Sequence, residues 1–415
     1  ANEQNMQLLT CHIQHYSWGK FGDSSLIARL QQKESDQHQP YAEWWFGTHP
    51  SGPSKLENGK LLSEALGSQL PFLFKILSVR TALSIQAHPS KQHAEKLHFE
   101  RPEIYKDSNH KPELCCAISQ FKLLAGFRPS FEVVQLLRLN PELSELIGED
   151  IAMEFCTKVT EMSLSGREIC NNDLKLSLKR MFTRIMKLEK STFQPILKRL
   201  FLRLSEANSI LAEEEKSDEI NSINSVFLLL HEQYPGDIGC FVPFFMNTLI
   251  LNPGEALFIE PNEPHAYLSG DCYECMACSD NVIRAGLTPK LRDIDTLCEM
   301  LTYNMASPSL LIPEKIDEFT SQYAPNVSEF CFTLTQIPKD RSPLKYCLNC
   351  VRSVSIIVIT EGEALVISTK PSAESASDAL EISSGSVMLL EPNEKLEFSV
   401  KSGPLTFARC FTPHL

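Results

Sequence analysis

No glycine occurs between Gly166 and Gly236, and along that stretch apolar residues recur at helical rather than alternating spacing. Met181, Ile185 and Leu188 fall on one predicted helix face, and Leu197, Leu200, Phe201 and Leu204 on another. Asn172 or Asp173 is placed to cap the first of these helices. Leu211–Glu219, LAEEEKSDE, reads as a solvated loop or helix end. On either side the text changes. From about Leu8 to Phe127, and again after YPGD at Tyr234–Asp237, short apolar runs are broken by Gly, Pro, Ser and Asn. Runs such as PFLFKILSV (Pro71–Val79) and LSIQAH (Leu83–His88) read as strands bounded by turns. One short helix is expected at Ile294–Leu301. A helical block enclosed by β sequence is either an insertion into one β domain or a separator between two.

An internal echo bears on that choice. NPGEALFIEPNEPHAYL (Asn252–Leu268) and SSGSVMLLEPNEKLEFS (Ser383–Ser399) align without a gap and share E-P-N-E. Strand, Gly/Pro turn, then His265 entering the next strand is the grammar of a jelly-roll barrel, and it resembles the second cupin motif. His265 is matched by Leu396, so a metal site in the first copy is not expected in the second. The expected fold is mainly β with an inserted α-helical domain: two cupin-like β jelly-roll barrels plus the helical domain. Residues 1–128 and 234–320 would form the metal-bearing barrel, 129–233 the helical insertion, and 321–415 a second barrel without metal.

A chain of 415 residues is longer than one core usually serves, which agrees with several domains. The formal charge of −13 argues against nucleic-acid binding, which needs a basic surface, but leaves room for a small anionic ligand in a local positive pocket. The amino terminus lacks the pattern of a secretory signal, and no apolar run approaches the ~20 residues of a membrane span. A cytoplasmic monomer acting on a small molecule, with no membrane partner, is expected. The 14 cysteines are read as reduced thiols. Four ligands drawn from Cys272, Cys275, Cys278, Cys347 and Cys350 offer an alternative zinc site, disfavoured by the long separation between the groups.

Alternation along LSIQAHP puts Ser84, Gln86 and His88 on one strand face. YKDSNHKPE (Tyr105–Glu113) is either a solvated loop or a functional one presenting Lys111 and Glu113. With His265, residues Gln86, His88 and Glu113 make a mixed nitrogen and oxygen set suited to zinc or a similar divalent metal. The run His265–Lys290 adds Glu274, Arg284 and Lys290. Arg and Lys beside one pocket suit a phosphorylated or carboxylated ligand, although a surface salt-bridge network remains open on residues alone.

YKDSNHKPE and HAYLSGDCYECMACSDNVIRAGLTPK (His265–Lys290) resemble the two signatures of the class I phosphomannose isomerases, with Tyr273 standing where an aliphatic residue is usual. YSWGK (Tyr16–Lys20), YAEWWFGTHPSG (Tyr41–Gly52), LPFLFKILSV and YPGDIGCF extend the likeness along the chain. Trp44 and Phe46 replace the Leu and Met common in animal and fungal members, which implies bulkier packing near Glu43 and Thr48 with activity retained.

The resemblance implies interconversion of mannose 6-phosphate and fructose 6-phosphate through a cis-enediolate, feeding GDP-mannose synthesis and mannose catabolism. One zinc per chain would be held by Gln86, His88, Glu113 and His265. Arg284 corresponds to the catalytic arginine, Ser84 and Lys290 to phosphate contacts, and Trp18 to the pocket wall. Glu274 is the preferred base, with Lys111 or a metal-bound water as rivals. A cupin-type iron oxygenase is a poorer match, because Gln86 adds a fourth protein ligand to the usual two-His, one-carboxylate triad.

Overall fold

The computed structural model describes residues 6–31, 33–165, 172–210, 219–369 and 379–413. Within them lie sheets of ten, eight and four strands, with a block of helices between Ser130 and Gln233. Met181, Ile185, Leu197, Leu200 and Leu204 are all buried and Leu188 and Phe201 pack against the same core, as the helical periodicity requires. One predicted helix begins at Asn172 with Asp173 in its first turn. The expected loop at Leu211–Glu219 lies outside the described residues except for Glu219, which opens the helix Glu219–Gln233. The short helix appears at Ile294–Met300. Among the described residues no helix is long and apolar enough to cross a membrane.

The first β stretch is less purely β than its text suggests. Lys91–Glu100 is a helix, capped where the Ser90 hydroxyl accepts a hydrogen bond from the His93 N–H at 3.4 Å. A Ser cap after Pro89 is the local signal that outweighs the polar, turn-like composition.

The hub of the ten-stranded sheet is the 13-residue strand His265–Ala277. Its first part pairs with Phe121–Phe127 and touches Gln86, while from Gly270 onward it pairs with Phe72–Val79 and Glu113–Ala117. Two irregularities allow the change of partners. The register against Phe121–Phe127 slips between Lys122 and Leu123, where Ser269 and Tyr267 are the successive partners and Leu268 is the extra residue. Gly270 then takes φ +115°, and a Cβ there would meet the Gln120 carbonyl oxygen at 2.5 Å, so only glycine fits.

The eight-stranded sheet combines the carboxyl-terminal strands with an amino-terminal one: Met6–Thr10 pairs with Val387–Leu390. It meets the ten-stranded sheet through a shared cluster that includes Phe74, Tyr273, Phe332, Ile356 and Leu389. The E-P-N-E echo has one geometry in both copies. Gly254 and Gly385 take φ +85° and +92°, Asn262 and Asn393 take φ +64° and +61°, and each turn joins two strands.

A candidate metal centre at the floor of a charged cleft

Strand pairing assembles the centre. Ile85–Ala87 lies between the start of His265–Ala277, where His265 faces Gln86, and Ile283–Gly286, where Arg284 faces Gln86. Glu113 opens the strand that pairs with both Ala256–Ile259 and the far end of His265–Ala277. His88, Glu113 and His265 thereby bring one ligating atom each to within 4.8 Å of one another, all three buried. Glu113 Oε1 lies 3.3 Å from His88 Nε2, and Oε2 lies 3.2 Å from His265 Nε2.

These atoms face a common point more than they satisfy each other. Glu113 Oε2 and His265 Nε2 are fully buried and, among the described residues, have only each other within reach, at 3.2 Å without good hydrogen-bond geometry, a state that costs several kcal/mol for charged or strongly polar groups unless something else occupies the point between them. The second nitrogen of each ring is oriented: His88 Nδ1 lies 2.7 Å from the Asn281 carbonyl oxygen, and His265 Nδ1 lies 3.2 Å from that of Glu263. An N–H donated there leaves both Nε2 lone pairs aimed inward, the arrangement metal-ligating histidines adopt. Burial pushes the His88 ring down to about 4, so it is neutral as a ligand must be. Burial works to raise Glu113, yet His88 and Lys111 outweigh it and hold the carboxyl well below its usual range. Gln86 is beside the group, accepting from the Ser84 hydroxyl through Oε1 at 3.1 Å with its amide nitrogen 3.4 Å from His88 Nε2. Half a turn of the amide directs Oε1 to the ring instead. Two imidazoles, a carboxylate and an amide oxygen fit a borderline divalent ion.

Above this floor opens a cleft of about 960 Å³, lined by Trp18, Ser84, Gln86, Lys111, Glu113, Glu274, Arg284 and Lys290 among others. All ten sequence-derived site residues are therefore in the cleft or in the cluster beneath it. Arg284 is half-buried, and burial lowers its pKa; among the described residues no carboxylate pairs with it. Lys290 is exposed at the rim, and Lys111 Nζ lies 3.3 Å from Glu113 Oε1. One wall is the end of the helix Glu219–Gln233: Glu232 and Gln233, with Tyr234 just beyond it, line the cleft, fixed where Gln233 Oε1 accepts the Ala82 N–H at 2.9 Å.

Two cations in the cleft escaped the sequence reading. Lys75 is buried between two carboxylates, 3.1 Å from Glu274 Oε2 and 3.3 Å from Glu43 Oε2. Its local sign is only a lysine inside the apolar run LPFLFKILSV; the burial of every residue of that strand, which obliges the lysine to be paired, comes with the sheet. Arg80 reaches the cleft with its guanidinium 4.9 Å from the Phe21 ring centroid, and nothing in its local pattern marks it.

The cysteine alternative does not form. All cysteines of the described residues are free thiols; Cys272 and Cys275 are buried in the hub strand while Cys347 and Cys350 are exposed. Nor does the echo repeat the centre. Leu396 aligns with His265. The Asn393 N–H donates to the Val351 carbonyl as Asn262 does to that of His88, and Ser355 faces Leu390 as Glu113 faces Ile259.

Residues 6–130 match the family description "Phosphomannose isomerase type I, catalytic domain", and residues 146–246 match "Phosphomannose isomerase type I, helical insertion domain". The mannose-6-phosphate isomerases of Bos taurus and Homo sapiens are each 40% identical to this chain. The alignments cover 97% of this chain and 97% of the bovine protein, and 94% and 95% for the human one. The chain belongs to the type I phosphomannose isomerases. A crystal structure of the Salmonella typhimurium mannose 6-phosphate isomerase, bound to fructose 6-phosphate and zinc, superposes with TM-score 0.77 at 27% identity, over 99% of this chain and 100% of that one. A zinc-bound form of mannose 6-phosphate isomerase gives 0.76.

Against the phosphomannose isomerase pattern, the three departures Trp44, Phe46 and Tyr273 belong to one cluster. Trp44 meets Phe46 at 4.8 Å, Phe46 meets Phe74 at 5.2 Å, and Tyr273 meets Phe332 at 5.5 Å between ring centroids. The bulk lies at the contact between the two large sheets, behind the strands that carry Glu43 and Glu274.

Proposed function

We propose that the chain is a zinc-dependent aldose–ketose isomerase interconverting D-mannose 6-phosphate and D-fructose 6-phosphate through a cis-enediolate, supplying GDP-mannose synthesis and mannose catabolism. The observation that carries this reading is the pair of buried ligating atoms without a well-made hydrogen bond, Glu113 Oε2 and His265 Nε2, at the floor of a cleft in which, among the described residues, Arg284 has no carboxylate partner. Gln86, His88, Glu113 and His265 hold one zinc per chain. When bound, zinc would supply positive charge to the oxygens on C1 and C2, between which one proton passes while another passes between the carbons.

The chain's own residues do the rest. Lys290, Ser84 and Arg80 face the phosphate, and Trp18 walls the pocket. Arg284 stabilises the negative charge that develops on the enediolate, where a guanidinium already stripped of much of its water costs little reorganisation. Glu274 moves the proton between C1 and C2. Burial raises its pKa and Lys75 restrains the rise, a balance that brings a carboxylate toward the range a general base needs. Lys111 is the nearest rival for that role. Every group named comes from one chain, so a monomer suffices. We assign two cupin-like jelly-roll barrels, 1–128 with 234–320 and 321–415, the strand Met6–Thr10 of the first stretch being lent to the sheet of the second, and a helical insertion at 129–233, in a cytoplasmic protein.

Metal analysis with a coupled assay for fructose 6-phosphate formed from mannose 6-phosphate tests the reading. One zinc per chain and turnover are expected; folded protein with neither would overturn it.

A further inference from the structure

The loop 101–112 has no regular secondary structure, yet it delivers Lys111 and Glu113 to the cleft floor. Up to Asn109 it is tied to the second signature. Asp107 Oδ1 accepts from the Ser279 hydroxyl at 2.8 Å, Asn281 Nδ2 donates to the Asp107 carbonyl at 2.7 Å, and Asn109 Nδ2 donates to the Cys278 carbonyl at 2.9 Å. At the next residue the tie changes direction. His110 Nε2 lies 2.5 Å from Oε1 of Glu329, which stands 219 positions away in the carboxyl-terminal part of the chain. Both side chains are mostly shielded from water, at 21% and 15% exposure.

Glu329 is itself on a firm mount. It follows Val327, which packs into the cluster between the two large sheets, and precedes Phe330, fully buried in that cluster. The strand Cys331–Ile337 begins two residues later and carries Phe332 against Tyr273. A short, charge-assisted contact from such a mount restrains the backbone immediately before Lys111.

We infer that Glu329 is a positioning residue of the site: by holding His110 it sets the loop that presents Lys111 and Glu113, so the eight-stranded sheet takes part in the reaction without touching substrate. The inference rests on the isomerase reading above. A displacement of about 1 Å in a group that must meet substrate can cost up to ~100-fold in rate, so a remote tie of this kind is felt in turnover. It also answers why a second β unit with no ligating residues at the echoed positions stays joined to the first.

The test uses the full-length zinc enzyme, with wild-type turnover of mannose 6-phosphate established first; if the wild type is inactive it is the isomerase reading that fails. Glu329→Ala is expected to lower kcat about tenfold with KM within twofold, and to shorten the time for zinc loss to a chelator. Glu329→Gln keeps an oxygen that accepts the His110 N–H and is expected to restore both to within twofold of wild type. His110→Ala approaches the contact from the other side, serves if Glu329→Ala does not fold, and should be no worse when combined with it. Wild-type kcat and zinc retention in Glu329→Ala, or in His110→Ala if that is the variant that folds, would overturn the inference. So would equal impairment of Glu329→Gln and Glu329→Ala.

Discussion

Tyr267 and Glu274 stand an odd number of residues apart on one continuous strand, yet both line the same cleft. Simple alternation would send them to opposite faces. The extra residue at Leu268 and the φ of +115° at Gly270 reset the alternation midway, so both halves of the strand serve one site. Gly270→Ala should therefore cost about 2 kcal/mol or more of stability, from left-handed strain and the clash with the Gln120 carbonyl. Urea unfolding measures it, and a loss below about 0.5 kcal/mol would show that the bend does not need glycine.

The triad Glu43–Lys75–Glu274 predicts a pH effect. Burial raises Glu274, and Lys75 is the chief group pulling it down. The base proposed here must be ionised, so activity is expected to fall as pH drops through this pKa. Lys75→Met removes the restraint, raises the pKa further and moves the acid limb of kcat/KM to higher pH. It also leaves two buried carboxylates unpaired, at about 3–5 kcal/mol. A pH–rate profile with an unmoved acid limb would exclude Glu274 as the titrating group.

Arg284→Ala should keep its zinc and fold and lose about 100-fold or more in kcat, the usual scale for removing a preorganised charge partner. Near-normal turnover in zinc-loaded Arg284→Ala protein would rule out its assignment to the enediolate. Chelation should abolish turnover in the wild type, and added zinc should restore it.

Tyr273 is fully buried, and its hydroxyl lies 2.6 Å from Thr360 Oγ1 across the contact between the sheets. Tyr273→Phe keeps the ring packing and loses one hydrogen bond, about 1 kcal/mol, with kcat unchanged. A fall in kcat without a fall in stability would mean that this contact reaches the site.

Much of the candidate site was legible because its chemistry is local in sequence. Gln86 and His88 alternate along LSIQAHP, although the strand that forms is only Ile85–Ala87 and His88 lies just past its end, and the two signatures hold Lys111, Glu113, Glu274 and Arg284 as recognisable strings. The helical block announced itself by periodicity, and its buried positions follow that periodicity. What escaped notice had weaker local signals. Lys75 sits in an apolar run whose burial is clear only once the sheet exists, and the helix Lys91–Glu100 hides in polar text behind a single Ser cap. Arg80 has no local signature at all.

By itself the sequence determined the residue types of the candidate metal centre, the place of the helical block and the E-P-N-E echo, since these depend on composition and spacing within short windows. Tertiary structure alone decided that a bulge and a glycine turn both halves of one strand toward the same cleft, that Lys75 lies between Glu43 and Glu274, and that Glu329 reaches His110. Those relations join residues far apart in the chain, and pairing register and packing, which no local window encodes, set them.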